Sequence, residues 1–188
     1  MLDPDELYWQ FKERLNAVAG ECYRIRTAQE AERFLAGLLQ EKEVKDLVLV
    51  ESPLTKAGNM IAEFESVGIR VYSESLREKA PVVGAGVTEL NWAIAELGTM
   101  VQIGTDVNQR LASSLPPIHV ALIQTSRLLP TLTETLKTLH SLPQIPGFVG
   151  LITGPSRTAD IERVLTIGVH GPEQFVAIFV DEEAGEED

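Results

Sequence analysis

The sequence of 188 residues contains a single cysteine, Cys22. One cysteine excludes a disulfide within the chain, and it excludes any zinc site or iron–sulfur cluster that several cysteines of one chain would hold. The three histidines, His119, His140 and His170, are too far apart in sequence to resemble a metal-binding motif. We therefore predict no metal site in this chain.

Basic residues and long apolar runs are also scarce. Lys and Arg number 16 against 28 Asp and Glu, which gives a net charge of −12. This balance argues against nucleic acid or an anionic membrane as a partner. No stretch approaches the roughly 20 apolar residues that a membrane span needs, and the first residues lack the basic and apolar regions of a signal peptide. We therefore predict a cytoplasmic protein without a membrane span.

Helix and strand patterns alternate along the chain. In the first half, helices are predicted from Pro4 to about residue 19, over 27–42 and over 52–64, and strands at 22–25, 47–50 and 68–72. In the second half, helices are predicted over 88–96, 130–139 and 158–165, a short turn or helix over 108–114, and strands at 100–103, 119–123, 148–152 and 175–180. This alternation predicts an α/β domain with a mainly parallel sheet. The glycines of segment 81–87 predict a bend or a close backbone approach.

The turn 154–158 is the strongest candidate for a binding site. A strand, a tight turn and the start of a helix would bring several unpaired backbone N–H groups together. Ser156 and Thr158 add hydroxyl groups, and Arg157 adds a forked positive charge. The turn therefore predicts a bound anion, but an ordinary helix cap in which Arg157 pairs with Asp160 is the alternative interpretation. Neither the Walker lysine nor the Gly-x-Gly-x-x-Gly loop occurs here, so neither nucleotide fingerprint applies.

Three other residues have a functional and a structural interpretation each. His170, in the glycine-containing segment 168–172, could bind an anion or transfer a proton, or it could hold the loop by a hydrogen bond. Glu96 could be a general base or a nucleophile, or a solvated helix residue. Arg110 could supply a second cation to the same anion, or it could form a surface ion pair. His119 is expected to be a packed structural residue.

Four segments, in the same order along the chain, resemble the lactate utilization (LUD) domain family in a form close to lactate utilization protein C. They are Gly86–Thr99, Arg110–His119, Ile152–Glu162 and Gly168–Pro172. The resemblance implies a three-layer α/β fold of the NagB/RpiA/CoA transferase-like class. It implies one domain over residues 1–181, with N-terminal helices and first strands in 1–75 and the motifs in 80–181. Residues 182–188 would form an acidic, disordered tail.

The resemblance also implies a role in oxidising L-lactate to pyruvate beside partner proteins that carry iron–sulfur clusters. We expect no cofactor in this chain. Three functions stay open: a non-redox subunit or accessory that binds a small organic anion, an isomerase- or acyl-transfer-type enzyme acting on a phosphorylated or CoA-linked molecule, and a non-catalytic regulatory module. The candidate site comprises Glu96 and His170 for catalysis, and Thr99, Arg110, Gly154, Ser156, Arg157, Thr158, Asp160 and Gly171 for substrate binding.

Overall fold

Helices and strands alternate through the first half of the computed structural model, which describes residues 3–104, 106–158, 166–168 and 170–184. The elements are α1 (Pro4–Ala17), β1 (Glu21–Ile25), α2 (Ala28–Glu41), β2 (Asp46–Leu49), α3 (Pro53–Ala57), α4 (Met60–Ser66) and β3 (Arg70–Tyr72). Asp3 caps α1 by accepting a hydrogen bond from the backbone N–H of Asp5, and Thr27 caps α2 by accepting one from that of Glu30. These helices begin where the capping residues predict them.

The second half contains more strands than its sequence pattern predicts. Its described elements are α5 (Leu76–Lys79), β4 (Ala85–Glu89), β5 (Trp92–Ile94), β6 (Thr99–Ile103), α6 (Val107–Ser114), β7 (Ile118–Gln124), β8 (Leu128–Leu129), α7 (Leu132–His140), β9 (Val149–Ile152), β10 (Arg157–Thr158), β11 (Thr166–Ile167) and β12 (Gln174–Val180). Within the described ranges, none of the helices combines the length and the apolar character needed to pass through a bilayer.

Six parallel strands form the main sheet in the order β1-β12-β7-β4-β2-β3. After β2 the chain passes through α3 and α4 to β3 on one side, and after β4 it passes through α6 to β7 on the other side. The neighbouring strands β2 and β4 therefore mark the point at which the strand order reverses. The predicted α/β fold with a mainly parallel sheet is confirmed.

Apolar side chains cover both faces of the main sheet. On one face, α2, α3 and α4 pack against alternate strand residues such as Leu47 and Leu49. On the other face, Phe11 of α1 packs edge-on against Phe179 with the ring centroids 4.9 Å apart, while α5 and α6 cover Val48. This double coverage explains why the strands are continuous apolar runs.

His119 is fully buried at the centre of the main sheet. Its Nε2 lies 2.9 Å from Thr88 Oγ1, and its ring packs against Phe175 with the centroids 5.3 Å apart. Burial lowers the pKa of His119 from 6.5 to about 3, because the charged imidazolium would lose its hydration there. The structure agrees with the packed, structural histidine predicted from the sequence.

The segment 88–96 contains the end of β4, the strand β5 and the start of a turn, so the prediction of a helix there is wrong. Its first two residues end β4, and β5 pairs antiparallel with β6 and parallel with β8. Together with β9 these strands form a second sheet in the order β8-β5-β6-β9. Ala93 and Ala95 are buried beneath α1 at period-two spacing, so burial within this sheet overrides the helical pattern.

Two other predicted elements differ from the structure. The helix predicted over 52–64 is divided into α3 and α4, because Asn59 adopts a left-handed φ of 49° between them. The strand predicted at 148–152 is correct in position but is not buried. Within the described ranges β9 is the outer strand of the second sheet, and its Leu151 is 54% exposed.

Part of the predicted acidic tail contacts the fold. The Glu182 carboxylate accepts a hydrogen bond from the backbone N–H of Ala28 at 2.9 Å. The carbonyl oxygen of Ala184 accepts one from Gln124 Nε2 at 3.1 Å. Residues 182–184 therefore lie against the start of α2 and the end of β7, and residues 185–188 are outside the described ranges.

Candidate functional site

A polar cavity lies at the carboxyl ends of β2 and β4. Its volume is about 360 Å³, and we call it the switch-point cavity. It is lined by residues after β2, residues at the end of β4, one residue of α6 and one after β7: Glu51, Ser52, Pro53, Glu89, Leu90, Asn91, Gln109 and Arg127. Open α/β sheets bind ligands outside the carboxyl ends of their strands where the strand order reverses. The switch-point cavity occupies that position.

Side-chain hydrogen bonds fix the wall formed by α3 and β4. Glu89 Oε2 accepts a hydrogen bond from the backbone N–H of Leu54 at 3.0 Å. Ser52 and Thr55 form a reciprocal capping box at the start of α3. The first turn of α3 is thereby held against the end of β4. A second carboxylate at the cavity, that of Glu51, is exposed to solvent.

Two carboxamide side chains, those of Asn91 and Gln109, also line the cavity. Asn91 Oδ1 accepts a hydrogen bond from the backbone N–H of Ile103 at 2.8 Å, so Asn91 offers the cavity its N–H groups. The backbone carbonyl of Gln109 accepts a hydrogen bond from Gln102 Nε2 at 3.1 Å, which ties α6 to β6. Gln109 Oε1 is buried and has no hydrogen-bond partner within the described part of the chain. A buried acceptor without a donor costs about 1–3 kcal/mol, so a bound donor would be favourable there.

Arg127 adds a positive charge to the switch-point cavity. A guanidinium can bind a carboxylate through two parallel hydrogen bonds. The Glu89 carboxylate can accept a hydrogen bond from a hydroxyl group beside that carboxylate, and the carboxamide N–H groups can donate to a hydroxyl or keto oxygen. Within the described ranges, no three His, Cys, Asp or Glu side chains are grouped as they would be around a metal ion. The arrangement suits a small organic acid with a second polar group.

The predicted binding loop lies at the other end of the strands of the main sheet from the switch-point cavity. Ser156 donates its backbone N–H to the carbonyl of residue 172 at 2.8 Å, and its own carbonyl accepts from the N–H of residue 168 at 3.0 Å. A methyl group at Gly171 would lie 3.1 Å from Ser156 Cβ, so the segments 154–158 and 168–172 touch. The backbone N–H of residue 173 donates to the carbonyl of residue 117, just before β7 begins. The loop is therefore at the amino ends of β7 and β12.

The predicted helix start in this loop is wrong, because Arg157 and Thr158 pair with β11 as a strand. The backbone N–H of Ser156 is already hydrogen-bonded, so it is not part of a free helix N-terminus. The side chains of Arg157 and His170 are exposed. The predicted helical residues 159–165, which include Asp160, lie outside the described ranges.

Three further predicted residues are placed by packing. Thr99 Oγ1 lies 2.7 Å from the hydroxyl oxygen of residue 153, beside the loop. Gly154 has a φ of 75°, and a methyl group there would lie 3.0 Å from the carbonyl oxygen of Val18. Arg110 stacks on Phe148 with its guanidinium carbon 5.1 Å from the ring centroid, and its Nε is buried without a hydrogen-bond partner in the described ranges. Thr99 and Gly154 thus adjoin Ser156, while Arg110 stacks on the segment that precedes β9.

Glu96 caps a helix in the structure. Its Oε1 accepts a hydrogen bond from the backbone N–H of Leu132, the first residue of α7, at 2.6 Å. A carboxylate is favourable at this position because the N-terminus of a helix carries a partial positive charge. The side chain thus has a structural role, and its action as a general base or nucleophile stays a prediction.

Sequence reasoning missed Gln109 and Arg127 as site residues. They lie on different elements, and only the strand order brings them to the end of β4. A usable signal was present in the polar residues of segments 51–52 and 89–91, because each follows or ends a buried strand. The helix predicted over 88–96 concealed that signal.

Comparison with known protein sequences identifies the relatives of this chain. The sequence profile described as "LUD domain" matches residues 8–180. "Lactate utilization protein C" of Halalkalibacterium halodurans is 28% identical over 182 residues, which cover 89% of this chain and 79% of that protein. "Lactate utilization protein C 1" of Bacillus mycoides is 29% identical over 194 residues, which cover 97% of this chain and 82% of that protein.

A solved structure has the same fold. It is the crystal structure of a protein of the DUF162 family from Deinococcus radiodurans, which matches with a TM-score of 0.62. The match covers 96% of this chain and 99% of that chain at 21% sequence identity. At that identity the likeness supports the fold alone.

Proposed function

Because the chain belongs to the LUD domain family, we propose that it acts in lactate utilization, as a subunit or accessory of a system that oxidises L-lactate to pyruvate. The main support is that relatives named lactate utilization protein C match 89% and 97% of this chain. In this proposal the chain binds the organic anion and does not accept its electrons. It works in the cytoplasm, as the sequence predicts.

The switch-point cavity is the proposed binding site. In this arrangement Arg127 binds the carboxylate of lactate or pyruvate, and the N–H groups of Asn91 support it. The lactate hydroxyl donates to Glu89, or to Gln109 Oε1 after a rotation of the Gln109 carboxamide. Such a rotation would give the Gln109 oxygen the hydrogen bond that it lacks in the described part of the chain, and this favours ligand binding.

Electron transfer is assigned to partner proteins. Iron–sulfur clusters are held by several cysteine thiolates, whereas this chain has only Cys22, which is buried beneath α1. Burial also raises the pKa of its thiol to about 12, so the reactive thiolate is disfavoured at neutral pH. We therefore expect the clusters in the other lactate utilization proteins of the system.

The loop formed by segments 154–158 and 168–172 is the second candidate site. It is supported by the contact between Ser156 and Gly171 and by the exposure of Arg157 and His170. An anion bound there would lie at the amino ends of β7 and β12, whereas Arg127 follows the carboxyl end of β7. The two candidate sites therefore respond to different substitutions.

Complementation of a deletion strain tests the proposed function. We expect deletion in the native host to abolish growth on L-lactate, and we expect the wild-type gene and Arg157→Gln to restore it. Arg127→Lys keeps the charge but loses the paired hydrogen bonds, so we expect at least about tenfold weaker anion binding and poor growth. Glu96→Gln should restore growth, because its amide oxygen can still accept from the backbone of α7.

Other outcomes would contradict the proposed role, the proposed binding site or membership in a complex. Growth of the deletion strain on L-lactate would refute the role in lactate utilization. Loss of complementation by folded Arg157→Gln, with Arg127→Lys active, would move the site to the predicted loop. Loss by folded Glu96→Gln would favour the alternative of an isomerase- or acyl-transfer-type enzyme. Affinity purification from cells grown on L-lactate should recover cysteine-rich partners, and their absence would contradict membership in a complex.

A further inference from the structure

A second groove lies along β1, the outer strand of the main sheet, which pairs with β12. Its volume is about 600 Å³, which is within the range of small-molecule sites. We call it the edge groove. Residues of α1, β1 and α2 line it, among them Tyr8, Trp9, Lys12, Tyr23, Arg24 and Phe34. It shares none of its lining residues with the switch-point cavity.

Aromatic side chains are concentrated in the edge groove. It contains four of the 11 Trp, Tyr and Phe residues of the chain. Trp9 is 62% exposed, although most large apolar side chains of α1 are buried. Its ring stands edge-on to Tyr8 with the centroids 5.4 Å apart, and Tyr23 packs on Phe34 across the strand at 4.7 Å. The contact with Tyr8 therefore fixes the orientation of the indole, and a planar ring can stack on its exposed surface.

The two basic side chains of the edge groove, Arg24 and Lys12, differ in their contacts with carboxylates. Arg24 is bound by two carboxylates, with Nη1 2.6 Å from Asp5 Oδ1 and Nε 2.7 Å from Asp181 Oδ1. Lys12 Nζ lies 5.5 Å from the Trp9 ring centroid and 6.0 Å from that of Tyr8. Within the described ranges, Lys12 has no carboxylate oxygen within 4.0 Å. Its ammonium group is therefore available to an anion beside the exposed indole.

We propose that the edge groove binds a planar aromatic ligand that carries a phosphate or a carboxylate. The ring stacks on Trp9, and the anionic group binds Lys12. Arg24 is held by the carboxylates of both Asp5 and Asp181, so its charge is already compensated and Lys12 is the cation that the groove offers to an anion. This site is independent of the proposed lactate function, because neither Trp9 nor Lys12 contributes to the switch-point cavity.

Equilibrium dialysis of the purified chain against FMN, riboflavin and AMP tests this site. FMN and riboflavin share a ring and differ in the phosphate, whereas AMP presents a purine ring with a phosphate. We expect saturable binding of FMN or AMP, weakened about tenfold or more in Trp9→Leu. Lys12→Gln should weaken the binding of FMN until its affinity equals that of riboflavin, and it should leave the affinity for riboflavin unchanged. Lys137→Gln, which removes the same charge from α7, is the matched control and should bind like the wild type.

Circular dichroism of each variant separates loss of the site from loss of the fold, and Trp9 is exposed enough for leucine to be tolerated. Saturable binding of AMP alone, with the same dependence on Trp9 and Lys12, would support the site and assign it a purine ring. The proposal is overturned if neither FMN nor AMP binds saturably at millimolar concentration. It is also overturned if folded Trp9→Leu binds as tightly as the wild type, or if Lys12→Gln leaves the preference for FMN over riboflavin intact.

Discussion

Gly86→Ala is expected to destabilise the protein by about 3 kcal/mol or more. Gly86 lies in β4, where α6 crosses the sheet so closely that a methyl group would overlap the carbonyl oxygen of Ala112 and stand 2.9 Å from its carbonyl carbon. Helix backbone cannot rotate away as a flexible side chain can, so α6 would have to move. Because α6 also carries Gln109, the same substitution should disturb the switch-point cavity.

Gly37→Ala is the matched control for this prediction. Gly37 lies in α2, and a methyl group there meets nothing within 4 Å. Alanine is favoured over glycine within a helix by about 0.8–1.0 kcal/mol, so this variant should be slightly more stable than the wild type. Urea denaturation of the three proteins measures both effects. A Gly86→Ala protein within about 1 kcal/mol of the wild type would refute the close packing of α6 on β4.

Acidification is expected to destabilise the wild type more than His119→Gln. In the folded protein the pKa of His119 is about 3, so the ring stays neutral at mildly acidic pH. In the unfolded chain its pKa is near 6.5. The part of the free energy of unfolding that depends on a neutral His119 is therefore fully present above pH 6.5, and it is lost as the pH falls towards 3. The loss is on the order of 1 kcal/mol per pH unit, or roughly 3 kcal/mol at pH 4.5.

The glutamine variant isolates this effect, because its amide can replace the contact of the ring with Thr88 but has no proton to gain in this range. The carboxylates titrate in both proteins and cancel in the comparison. Urea denaturation at pH 7.0 and 4.5 should give the wild type the larger loss in free energy of unfolding. Equal losses in the two proteins would show that His119 takes up a proton without unfolding.

Local sequence signals predicted the features of the fold that depend on local chemistry. Asp3 and Thr27 marked the starts of α1 and α2, and the apolar runs marked five of the six strands of the main sheet, all except β4. The glycines of segment 81–87 predicted a close backbone approach, which Gly86 makes with α6. The segment 88–96 was misjudged, because its strand β5 depends on pairing with β6 and with β8, and β8 is distant from it in sequence.

The candidate site was harder to predict than the fold. The sequence directed attention to segments 154–158 and 168–172, whose residues do meet at Ser156 and Gly171. It did not indicate that β10 would replace the expected helix start. The switch-point cavity joins residues from four parts of the chain, and their meeting follows from the order of the strands. Strand order is a property of the whole sheet, so local patterns do not contain it.

A crystal structure of the chain with bound L-lactate or pyruvate tests the central claim most directly. We expect the ligand in the switch-point cavity, with its carboxylate about 2.7–2.9 Å from the Arg127 guanidinium. We also expect the lactate hydroxyl to donate a hydrogen bond to Glu89 or, after its carboxamide rotates, to Gln109 Oε1. A ligand bound against Ser156 and His170, or an empty cavity at a concentration that saturates the protein in solution, would contradict it.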